Sequence, residues 1–106
     1  MIVREAKVQL LERSLYPLYF EINVLKRRVE DANLGRSNDC CQEMRALIAK
    51  YRSVEAMVQG LRESSDIAFE ERFAAVEKQI NDLARYVSAQ SPWIMMQVAD
   101  RYSTVY

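Results

Sequence analysis

No histidine occurs anywhere in the 106 residues of this chain. Its absence removes the side chain most often used as a general base and as the activator of a serine or cysteine nucleophile. It also removes the Glu-x-x-His ligand pairs of a di-iron bundle. Glycine is almost as scarce, with only Gly35 and Gly60, so no glycine-rich loop can cradle a phosphate. The only cysteines, Cys40 and Cys41, are adjacent. A disulfide between neighbours closes a strained ring, so two free thiols in a reducing compartment are expected. A metal held by them would need two further soft ligands, which the chain does not offer. No catalytic residue, metal or cofactor is therefore expected, and the chain reads as a non-enzyme.

Charge of one sign is missing too, because 15 lysines and arginines balance 15 aspartates and glutamates. No net field draws the chain to nucleic acid or to an anionic membrane, whereas zero net charge mildly favours self-association. The single basic run, Lys26-Arg27-Arg28, spreads around a helix and is followed at once by Glu30 and Asp31. It reads as solvated helix surface, and Glu70-Glu71 reads the same way. No apolar run approaches the roughly 20 residues of a membrane-spanning helix. Met1 to Glu5 lacks the basic segment and apolar stretch of a secretory leader. A cytoplasmic location without membrane attachment is the expectation.

What the chain does have is a heptad pattern. Val8, Leu11, Leu15, Leu18, Ile22, Leu25, Val29 and Ala32 alternate at spacings of three and four. Cys40, Met44, Leu47, Tyr51, Val54, Val58 and Leu61 repeat the pattern, and so do Phe69, Phe73, Val76, Ile80, Leu83 and Val87. Each series lays an apolar stripe along one side of a helix, and such a stripe must be buried against another helix. The expected fold is all-α: one domain over 1–106, an antiparallel three-helix bundle of coiled-coil-like helices with a short fourth helix at the C-terminus.

The punctuation sets the boundaries. A first helix over about 3–34 is expected to kink at Pro17, because the heptad phase is the same on both sides of the proline. Gly35 is its expected left-handed stop. Asp39, with Gln42 three residues on, reads as a capping box opening a second helix over about 40–63. Ser64-Ser65-Asp66 reads as a turn with a fresh cap, since eight residues rather than seven separate Leu61 from Phe69. A continuous helix with a phase slip is the alternative. A third helix over about 67–89 is expected to yield before Pro92. Ser91-Pro92 then reads as N-cap and first position of the fourth helix, about 92–103.

Two apolar groups fall outside an obvious single stripe. Tyr16, Tyr19 and Phe20 flank Pro17 and make that turn apolar nearly all round. Trp93, Met95, Met96 and Tyr102 crowd the C-terminal helix, where adjacent methionines point about 100° apart. Tyrosine and methionine suit interfaces, so these seven are the candidate contacts with another protein. The first stripe is the candidate for self-association through Leu11, Leu18, Ile22, Leu25 and Val29. Its β-branched a positions and leucine-rich d positions favour two-stranded pairing. The function expected from all this is a non-catalytic interaction module, an adaptor, chaperone or inhibitor that self-associates. A structural subunit of a larger particle or filament is the alternative, and a nucleic-acid-associated regulator comes third.

Overall fold

The computed structural model describes the backbone of residues 2–35 and 38–103, and within it the side chains of 4–35 and 38–101. Three helices account for nearly all of it: α1 (Ile2–Ala32), α2 (Asp39–Leu61) and α3 (Asp66–Ser103). Each packs on both others in a rod of 61 × 21 × 18 Å. At about 1.5 Å per residue, the 38 residues of α3 span about 57 Å, so this helix sets the length of the molecule.

Ion pairs fix the directions. Arg4 meets Asp66 at 2.6 Å and Lys7 meets Glu70 at 2.9 Å, so α1 and α3 start together and run parallel. Arg62, just past the end of α2, pairs with Glu5 at 3.1 Å and with Glu12. That places α2 antiparallel to α1, an up-down-up order.

Each helix ends for a local reason. Asn33 takes a left-handed conformation (φ 52°) and its N–H donates to the Glu30 carbonyl at 3.1 Å. Asparagine tolerates that region better than other side-chain-bearing residues, so α1 stops before the expected Gly35, which itself sits at φ 91°. The cap of α2 is Asn38, one residue before the expected Asp39. Its side-chain oxygen accepts from the Cys40 N–H at 2.7 Å. Asparagine and aspartate are about equally good caps, and Asp39 instead places its carboxylate in the first turn, where the helix dipole favours it. Between α2 and α3 the chain turns. Buried Ser64 donates its hydroxyl to the Leu61 carbonyl at 2.8 Å, and Ser65 Oγ accepts from the Ala68 N–H at 3.3 Å.

Both prolines lie inside helices. α1 continues through Pro17, and Ser14 donates back to the Leu10 carbonyl at 3.1 Å instead of capping a new helix. α3 continues through Pro92, so the expected separate fourth helix over 92–103 is instead the last third of α3. The reason is packing. Val87 and Ile94, seven residues apart, are both wholly buried, so the core stripe crosses the proline in phase. Pro92 and Ser88, whose carbonyl loses its N–H partner, are both exposed on the water side.

The core is the three stripes brought together. All eight stripe residues of α1 are buried, as are Cys40, Met44, Leu47, Val54, Val58 and Leu61 of α2. α3 adds Phe69, Val76, Ile80, Leu83 and Val87, then Ile94 and Val98, with Tyr51 and Phe73 half-buried against them. No helix among the described residues is long and apolar enough to cross a membrane.

Candidate interaction surface on helix α1

The core stripe uses one side of α1. A second series lies on the side facing away from α2 and α3: Leu10, Arg13, Pro17, Phe20, Val24, Arg27 and Asp31, again at alternating spacings of three and four. In the heptad frame set by the buried positions these are two of the three positions that point away from the core, and all seven are exposed. Tyr16 stands beside them. The exposures are large for apolar side chains: Tyr16 72%, Phe20 66% and Leu10 57%. Val24 is also among the exposed large hydrophobics.

Tyr19 belongs to a different edge. Its ring tilts against Tyr51 of α2 with centroids 5.7 Å apart, covering the α1–α2 seam. Tyr51 in turn donates its hydroxyl to Glu55 Oε2 at 3.3 Å. Burial, then the Glu55 carboxylate and its hydrogen bond, with Tyr19 adding a little, push the Tyr51 phenol up to about 12. Tyr16 and Tyr19 border a hollow of about 370 Å³ at that seam, and Tyr19, Phe20 and Val24 border another of about 520 Å³ that reaches Arg27 and Glu30. The aromatic turn is thus a ridge between two shallow hollows.

The charges along α1 divide in two. Near its start, Arg4, Glu5, Lys7 and Glu12 are all engaged with α2, α3 or Arg62. On the outer face, Arg13 and Arg27 form no ion pair among the described residues. They bracket the Pro17–Phe20–Val24 segment, and Asp31 follows one turn beyond Arg27.

The other expected site residues fall elsewhere. Leu11, Leu18, Ile22, Leu25 and Val29, expected to form a self-association seam, are covered by the chain's own α2 and α3. Trp93 and Met95 are half-buried against the core and Met96 is 64% exposed on α3. The Tyr102 side chain lies outside the described residues. Trp93, Met95 and Met96 do not line the hollows beside Tyr16, Tyr19 and Phe20. Leu10 and Val24 were not singled out from the sequence, although the second series of threes and fours contains them.

The two cysteines differ in their surroundings. Cys40 is wholly buried; burial first, then Cys41 and Glu43, push its thiol up, away from the reactive thiolate. Cys41 is half-buried and borders an apolar groove of about 340 Å³ between the end of α1 and the start of α2. No group of three or more possible metal ligands occurs among the described residues. Neither a protein-family model nor any curated protein or solved structure matches the chain.

Proposed function

We propose that this chain is a non-catalytic protein-interaction module that docks a helix on the outer face of α1, and that it works as an adaptor, chaperone or inhibitor. One observation carries the reading. Tyr16, Phe20 and Val24 form a continuous exposed apolar strip on a helix whose opposite side already supplies the core. Covering a side chain such as Phe20 would contribute about 1.5–3 kcal/mol, and the rigid helix beneath it adds no ordering cost. The strip fits the helix-on-helix mode of recognition, in which residues at i, i+3, i+4 and i+7 are the anchors.

The test is position-dependent cross-linking. A benzophenone side chain at position 20 is compared in producing cells with one at Ala74, which is exposed on α3. Discrete protein adducts from position 20 but not from position 74 are expected. No adducts, or the same adducts from both, would overturn the reading.

A further inference from the structure

The strip has a self-complementary order of side chains, and we infer that its occupant is α1 of a second copy, lying antiparallel about a two-fold axis between Phe20 and Val24. This rests on the interaction-module reading above and names its partner. In an antiparallel pair, these two outward positions of the heptad on one helix face the opposite kind on the other, so the residue numbers in each layer sum to a constant. Four sums keep Tyr16 to Phe20 within the overlap of two copies of α1: 23, 30, 37 and 44, one heptad apart.

Only the register of sum 44 pairs opposite charges as well as apolar side chains. It places Phe20 against Val24 in two central layers, lays the Arg27 stem over Pro17, and sets Arg13 opposite Asp31 at both ends. Sum 37 puts Arg13 on Val24 and Arg27 on Leu10, and sum 30 sets Leu10 on Phe20 but lays Arg13 on Pro17 and leaves Asp31 beyond the overlap. Sum 23 puts Leu10 on Arg13 and leaves Val24 and Arg27 beyond the overlap. Arg13 has no ion-pair partner within its own chain among the described residues, so the contact would not have to break an existing one. Neither α2 nor α3 obstructs the approach, because both sit on the opposite side of α1.

The flanks follow from the same register. On one side Asn23 meets its own copy and Tyr16 comes beside Glu30. On the other, Glu21 meets its own copy, a like-charge contact that weakens the pair. One helix face per copy lies at the low end of interface sizes, so the dimer is weak and reversible.

Charge reversal in solution tests this, with mass read by light scattering and sedimentation over a wide concentration range. The wild-type chain should pass from monomer to dimer. Arg13→Asp and Asp31→Arg should each raise the midpoint concentration at least tenfold at unchanged helicity, since both sites are exposed. An equimolar mixture of the two variants should recover dimer at or below the wild-type midpoint, because every end layer then pairs Asp with Arg. Glu21→Gln should lower the midpoint. A wild-type chain that stays monomeric, a dimer indifferent to the reversals, or a mixture without recovery would overturn the proposal. The position-20 cross-linker separates the two readings: a monomer whose position 20 still captures a different protein refutes self-pairing alone, and a monomer with no adducts refutes both.

Discussion

Arg101, in the last turn of α3, donates from Nε to the carbonyl oxygen of Ala32, the final residue of α1, at 3.1 Å. The last carbonyls of a helix have no partner of their own, and a cation there also meets the negative end of the helix dipole. One side chain thus ties the far ends of the two parallel helices. At the near end, Arg4 and Lys7 do the same through Asp66 and Glu70, and they also lie over the Phe69 and Phe73 rings. α1 is thus fastened to α3 at both ends.

Arg101→Ala should therefore destabilise the fold by about 1.5–3 kcal/mol, the usual range for a hydrogen bond to a charged group. For a domain of this size that lowers the melting temperature by about 4–8 °C per kcal/mol. Thermal unfolding followed by circular dichroism measures it. A melting temperature equal to wild type would mean that the far end of α3 is not fastened to α1.

Pro92→Ala distinguishes a helix interior from a helix start. Inside a helix, proline is about 3 kcal/mol worse than alanine, partly offset by its restriction of the unfolded chain. The substitution should raise stability by about 2 kcal/mol, because the Ser88 carbonyl regains a donor. At the first position of a separate helix the same change would be neutral or slightly destabilising. Denaturant titration of the two proteins decides between them.

The sequence declared the all-helical bundle through its three stripes, and every residue of the α1 stripe went into the core. It misled at Pro92, although the decisive sign was there: Val87 and Ile94 are seven residues apart, as apolar positions on both sides of Pro17 are. At Pro92 the Ser91-Pro92 capping motif and the apolar phase point to different structures, and burial of Ile94 favours the phase. Asn38 and Asp39 could each cap α2, and only the backbone turn set by Gly35 decides. Whether a stripe closes within the chain or between chains cannot be read from periodicity, since both demand the same residues. Leu18 and Leu25 therefore fit a self-association seam by pattern alone, and only their burial against α2 and α3 distinguishes them from exposed Leu10 and Val24.

The adjacent thiols should behave differently. Cys40 has no exposed surface and its thiol is shifted up, whereas Cys41 is half-buried beside the groove at the α1–α2 link. In the native state a maleimide should modify Cys41 at least tenfold faster than Cys40, read by peptide mass mapping. Cys40 should react only as fast as the bundle opens. Equal rates would mean that the start of α2 frays.

The tyrosine at the α1–α2 seam gives the fold an alkaline limit. Tyr51 ionises near 10 when unfolded, and in the bundle its pKa stands at about 12, chiefly through burial and then Glu55. Below about pH 10 both states hold the proton and the stabilisation is fully present. Between 10 and 12 the unfolded chain loses it first, so stability falls as pH rises. Tyr86, shifted up by its hydrogen bond to Glu43, acts in the same direction. Tyr51→Phe should flatten the stability loss above pH 10 without abolishing it. The wild-type minus Tyr51→Phe difference in absorbance at the phenolate band should titrate near 12. A midpoint near 10 would place the Tyr51 hydroxyl in water, and with it remove the packing that holds Tyr19 at the seam and leaves Tyr16 and Phe20 as the outward ridge.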